Sequence, residues 1–237
     1  MTISRLKAFA GRPHNFNGID IYSPTINNIL DIDEDQYYYH LLFASFDKGK
    51  ILIDLFNYDL EKYDLLKDQD DYLVLTSHRS IIQYICSGLS FFVRKDVYFD
   101  DESKSFCIDK IMLCNSENYR ELSDIINALN VVENKKKEIK FKNNKAKEIF
   151  EKMAEFRNKT KKQDEQLELK DILSILCNAE DNGINIFNVF NLTIYQVYEE
   201  MERVGLKDTF KRILPVWANG HLGEKDKLPE WIKRTKL

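Results

Sequence analysis

Asn134-Lys135-Lys136-Lys137 opens, and Lys161-Lys162-Gln163-Asp164-Glu165 closes, the stretch on which the reading of this chain turns. From Asn134 to Lys162 there are 12 Lys/Arg and 4 Asp/Glu, a local net charge of +8. Residues 1–133 carry −9 and residues 163–237 carry −3, leaving −4 over the 237 residues. A basic connector between an acidic N-terminal part and a mildly acidic C-terminal part is therefore the first architectural expectation. Ala146, Ile149, Met153 and Phe156 keep helical spacing, and no Gly or Pro occurs from Asn134 to Asn182. This predicts a helix from about Asn144 to Lys162 with one narrow apolar stripe. Such a helix is either a solvated tether or a contact for nucleic acid or an acidic partner through Lys135, Lys136 and Lys137. Glu148, Glu151 and Glu155 dilute its attraction for phosphate, so nucleic acid is the weaker alternative.

Outward from the connector, composition narrows the class. Apolar residues make up 43% and charged residues 31%, which suits a folded chain rather than a disordered one. With only 8 Gly and 4 Pro, helices are favoured over sandwiches or barrels. No apolar run reaches the ~18 residues of a membrane span. The start, Met1-Thr2-Ile3-Ser4-Arg5, lacks the apolar core of a signal peptide. Cys86, Cys107, Cys114 and Cys177 form no CxxC pair, so reduced thiols in a cytoplasmic setting are expected.

The N-terminal part, residues 1–133, reads as mostly helical. Ile19-Asp20-Ile21-Tyr22 alternates like a strand, and Ser23, as cap, with Pro24 at the first helical position opens a helix carrying Ile26, Ile29 and Leu30. Further helices are expected over Glu34–Phe46 (burying Tyr38, Leu41, Leu42 and Phe46), Ile51–Tyr58 and Tyr72–Cys86. From Leu89 the period shortens, and the β-prone runs ending at Phe106-Cys107-Ile108 predict a hairpin around Asp100–Lys104. A helix capped at Asn115 or Ser116 buries Leu122, Ile125, Ile126 and Leu129. Residues 169–237 read as an all-helical domain. One helix runs from Leu169 to Asn182-Gly183. A second starts at Thr193 and ends at Gly205. A third spans Leu206 to Ala218, turning Phe210, Ile213, Leu214 and Trp217 inward, with a last turn at Leu228-Pro229-Glu230-Trp231. The predicted class is mainly α with a small β-hairpin: an α+β N-terminal domain, a connector over 134–168 and an all-α C-terminal domain.

Chemistry is hard to place on these residues. Asp31-x-Asp33-x-Asp35 begins like a calcium loop but has Gln36 where Gly is needed and Leu42 where a bidentate Glu belongs. His14, His40, His78 and His221 show no metal-ligand spacing. Ser77-His78 are neighbours on an expected helix and point apart. Neither catalytic residues, cofactor site nor metal site is expected. Aromatic residues remain: Tyr195, Tyr198, Trp217 and Trp231 in the C-terminal part either fill a small core or form a docking surface.

Two stretches carry a resemblance. Ile19 through Ile32, followed by Tyr37-Tyr38, resembles the opening of small proteins encoded in phage structural-gene modules, with Asp33 standing where those proteins place a Gly. Asn188-x3-Leu192-Thr193-Ile194-Tyr195-Gln196-Val197-Tyr198-Glu199, then Trp217-Ala218-Asn219-Gly220 and Pro229-Glu230-Trp231-Ile232-Lys233, is similar to their ends. The chain thus resembles tail-assembly chaperones or linked tail-module proteins of phages from low-GC Gram-positive hosts. The resemblance implies a non-enzymatic protein of the host cytoplasm, without a membrane partner. Its C-terminal module would bind the tail tube or tape-measure protein, and homo-oligomers are possible. The competing readings are a structural tail or neck protein of the virion and a nucleic-acid-binding or host-directed regulator.

Overall fold

The computed structural model describes residues 3–132, 167–223 and 226–237. The connector helix expected over Asn144–Lys162, and Lys135, Lys136 and Lys137 with it, lie outside the described residues.

The architecture is mainly helical with two small antiparallel sheets. Helix α1 (Arg5–Phe9) precedes a hairpin of β1 (His14–Phe16) and β2 (Ile19–Ile21), in which Phe16 pairs with Ile19. Ile19 and Ile21 point inward and Asp20 outward, as alternation requires. Helix α2 (Ile26–Leu30) follows. Its cap is Thr25 rather than the expected Ser23: the Thr25 side chain accepts from Asn28 N–H while Asn28 returns a bond to the Thr25 N–H. Asp33, at the position of the resemblance's Gly, has φ 76° and caps α3 (Glu34–Ala44). Leu42 and Phe46 are buried as expected and Leu41 is half-buried, but Tyr38 is exposed, and His40, Phe43 and Ala44 are buried instead.

A short helical turn, α4 (Lys48–Lys50), runs into a widened π-type turn over Ile51–Leu55, so the helix expected to Tyr58 is cut short. Then come α5 (Leu60–Asp64), α6 (Asp71–Thr76) and α7 (Arg79–Val93). The expected single helix over Tyr72–Cys86 is broken at Ser77-His78, where Ser77 Oγ donates to the Val74 carbonyl. Beyond Leu89 the expected change of period is also corrected. Phe91-Phe92-Val93 stay helical because Phe92 continues the stripe of Ile81, Ile85 and Leu89 into the core. Arg94 then closes α7 in the left-handed conformation, φ 56°.

The expected hairpin exists as β3 (Tyr98–Asp100) and β4 (Ser105–Ile108), but a third strand, β5 (Ile111–Cys114), pairs with β4. The β4–β5 turn is Asp109-Lys110, both at positive φ. That is the twist two-residue hairpins need, achieved without the Asn-Gly or Asp-Gly that signals it in sequence. Helix α8 (Tyr119–Leu129) buries Leu122, Ile125, Ile126 and Leu129 as read.

The principal core gathers α3, α6, α7, α8 and the three-stranded sheet. Phe46, Tyr72, Phe106 and Tyr119 meet there with ring centroids 5.3–5.9 Å apart. Helices α3 and α7 approach closely enough that a Cβ on Gly88 would stand 2.7 Å from the His40 carbonyl oxygen. Lys48 is 3% exposed, and its ammonium donates to the carbonyls of Leu66, Lys67 and Gln69 at 2.6–3.0 Å and pairs with Asp71 at 3.1 Å. One buried cation thus gathers the loop between α5 and α6.

Three measurements check this packing. Lys48→Met should cost about 3 kcal/mol in urea denaturation, because the carbonyls and Asp71 lose their buried cation. Lys62→Met, which removes an exposed pair with Asp59, should stay within about 0.5 kcal/mol. Gly88→Ala should cost about 1–3 kcal/mol by forcing α3 and α7 apart. For His40, burial holds the imidazole below its ordinary value. The unfolded chain therefore binds a proton that the folded state resists. This contribution is fully present above pH about 6.5 and is lost as pH falls toward the lowered folded value. Replacing His40 with Gln should flatten the fall in stability between about pH 7 and pH 5.

Candidate functional site

The C-terminal residues fold as α9 (Leu169–Asn178), a 3₁₀ turn (Val189–Asn191) and α10 (Ile194–Ala218). Helix α9 stops four residues before the expected Asn182, although Gly183 does take a left-handed φ of 69°. Helix α10 is one 25-residue helix that runs through Gly205, correcting the two helices expected there. Ion pairs from Lys207 to Asp181 (3.5 Å) and from Lys211 to Glu180 (2.7 Å) hold the stretch past Gly205 against the loop after α9. The last helical turn expected at Leu228–Trp231 is instead irregular chain.

The start of α10 is joined to the N-terminal part through backbone. Ile194 N–H donates to the Pro24 carbonyl (2.9 Å) and Ile26 N–H donates to the Leu192 carbonyl (3.0 Å). The caps Thr25 and Thr193 therefore lie side by side as a β-bridge, each closing a reciprocal capping box. Ser23 Oγ, freed from the expected capping role, accepts from Tyr195 N–H at 3.3 Å. Beneath this seam Ile26 and Ile29 of α2 pack with Ile172 and Leu176 of α9 and with Ile194 and Val197 of α10.

The four aromatic candidates separate. Tyr195 is 2% exposed and belongs to the principal core. Tyr198 is half-buried against the second cluster, and burial first, then the nearby Glu34 carboxylate, raises its phenol. Its neighbour Tyr37 is raised by burial, Tyr198 and Glu34, and donates to Asn130 Oδ1 at 3.0 Å. Trp231 is half-buried in the C-terminal tail, with its carbonyl accepting from Arg203 Nη1 at 3.1 Å. Trp217 is 53% exposed at the far end of α10, beside the exposed Leu214 and Val216. The expectation that Leu214 and Trp217 turn inward is thus corrected: every residue from Leu214 to Gly220 is exposed. Ile186 and Phe187, which read in the sequence as part of a short apolar link, are exposed in the loop before the 3₁₀ turn.

A shallow cleft of about 360 Å³ lies between the β2–α2 link and the end of α7, walled by Tyr22, Pro24, Ile32 and Phe91. The Arg94 guanidinium stands 4.3 Å over the Tyr22 ring and donates to Asn28 Oδ1 at 3.1 Å. Among titratable groups, burial pushes the Cys86 thiol up to about 11 and the Cys114 thiol higher still, away from the reactive thiolate. His78 Nε2 lies 3.4 Å from the Tyr58 hydroxyl, while Ser77 Oγ is committed to the Val74 carbonyl. Among the described residues, no group of three His, Cys, Asp or Glu could hold a metal, and no helix is long and apolar enough to cross a membrane.

This arrangement defines a mainly helical α+β protein in which, among the described residues, the C-terminal helix ends in an exposed apolar tip. Residues 159–236 match the family model of the YomV second domain, a phage-associated domain family. No curated protein and no solved structure matches the chain.

The two tryptophans provide a check. Trp217→Phe should remove most of the acrylamide-quenchable fluorescence and leave the melting temperature almost unchanged, as for surface substitutions within about 0.5 kcal/mol. Quenching that survives this change would place the accessible indole at Trp231.

Proposed function

We propose that this chain is a non-enzymatic phage tail-assembly chaperone acting in the host cytoplasm, and that its C-terminal helical module binds the tail tube or tape-measure protein. The observation that carries the reading is the uncovered tip of α10, where Leu214, Val216 and Trp217 are exposed together. Exposed apolar groups clustered with a Trp are what protein interfaces use as anchors. A subunit waiting to polymerise offers apolar surface of its own, and a helical tip fixed at one end and free at the other can cover it and later release it. The match of residues 159–236 to a phage-associated domain and the resemblance of both chain ends to tail-module proteins support the same class of partner. Tyr195 takes no direct part in this reading, because it lies in the core; Tyr198 and Trp231 shape the base of the module.

Co-expression with the tail tube and tape-measure proteins of the same phage is the test. One of them should co-purify with the wild-type chain, and Trp217→Ala combined with Leu214→Ala should weaken the complex at least about tenfold, as hot-spot truncations do. Failure of both proteins to co-purify contradicts the proposal. Recovery of the chain in purified virions would assign it to the particle instead.

A further inference from the structure

Both ends of the chain meet on one turn of α10. Arg5 Nη2 donates to Thr235 Oγ1 (2.6 Å), and Thr235 Oγ1 donates to Glu199 (2.7 Å). Arg203 Nη1 donates to the Lys233 carbonyl (2.9 Å), and Lys236 N–H donates to Glu202 (2.9 Å). Gln196 Nε2 ties the Phe9 carbonyl to the same helix at 2.8 Å. The carboxylates of Glu199 and Glu202 are thereby turned inward onto the tail. Lys7, Arg12, Lys233, Arg234 and Lys236 are left exposed. Among them stand the exposed apolar side chains Leu6, Phe9 and Ile232. The result is a basic face with apolar side chains, inside a chain that is acidic overall.

The complementary surface is on the same molecule. From the end of α2 to the first turn of α3, Asp31, Asp33, Glu34 and Asp35 are exposed, flanked by exposed Leu30 and Tyr38. The ion pairs found among the described residues include none of these four carboxylates. This corner also borders α10, since Tyr37 of α3 packs on the cluster that holds Ile194 and Val197 of α10, with Tyr198 beside it.

We propose that the chain associates with a second copy of itself, the basic face formed by its two ends docking on the acidic α2–α3 corner of the partner. Each copy offers both surfaces and each surface carries the charge the other lacks, so a twofold pair would make the contact twice. A membrane or nucleic acid fits less well: an extended polyanion laid on the basic face would meet the neighbouring acidic corner. This proposal stands independently of the chaperone reading, since the tip of α10 belongs to neither surface.

Light scattering coupled to size exclusion tests it on the full chain. At about 50 mM salt and about 100 µM protein, the wild type should have twice the chain mass, returning toward one chain at about 1 M salt. Lys233→Glu with Arg234→Glu should weaken the dimer at least tenfold, as should Asp31→Lys with Asp35→Lys. Combining all four changes in one chain should restore it, a rescue that misfolding cannot produce. A wild type that stays monomeric overturns the proposal, as does a dimer indifferent to both double variants. Lack of rescue by the four-fold variant also overturns it. Binding of the wild type to phosphatidylglycerol vesicles or to single-stranded DNA, lost in Lys233→Glu/Arg234→Glu, would assign the basic face to a polyanion instead.

Discussion

The pairing of two helix starts holds this molecule together. Helices lacking partners for their first amides must find acceptors, and here α2 and α10 solve the problem jointly. Each caps itself through its own threonine, and their first residues exchange backbone bonds, Ile26 to Leu192 and Ile194 to Pro24. The bonds join residues about 170 positions apart in the chain. They also place Ile26 and Ile29 over Ile194 and Val197, so that the second cluster of buried residues is shared between the two halves. Remove the seam and α10 has no fixed origin from which its far end can project.

The exposed tip follows from this constraint. With its first turns fixed on α2 and its middle tied to Asp181 and Glu180, a 25-residue helix extends, among the described residues, beyond the elements that pack on it. Its final turns keep their apolar residues in solvent. Gly220, at φ 71°, then reverses the chain and allows the tail to return along α10 to Glu199 and Arg5. Both proposed contacts, with a tail protein at one end of α10 and with a second copy at the other, use the same helix without overlapping.

Much of the fold could be read from residues whose signals are local. The strand at Ile19-Asp20-Ile21, the buried face of α8 and the start of α10 at Thr193 follow from alternation, helical spacing and capping chemistry. Where tertiary packing overrides local preference, the reading failed. Phe91-Phe92-Val93 is β-prone yet helical because Phe92 fills the core. Gly205 is a helix stopper by composition, yet α10 runs through it, and Lys207 and Lys211 just beyond it pair with Asp181 and Glu180. Asp109-Lys110 makes a hairpin turn without its usual Gly, which concealed β5. The candidate site was legible only as a set of aromatic residues. Tyr195 and Trp217 are alike in sequence and opposite in burial, and what separates them is their distance from the seam.

The account's central claim is that α10 is firmly anchored at its start and uncovered at its end, ready for a protein partner. Hydrogen–deuterium exchange followed by mass spectrometry, with and without the co-purified tail protein, tests both halves at once. The account predicts that peptides containing Ile26 and Ile194 are protected as strongly as those from α7. It also predicts that Leu214–Ala218 exchanges fast in the free protein and becomes protected in the complex. Fast exchange at Ile26 and Ile194, or a complex that leaves Leu214–Ala218 unprotected, would contradict it.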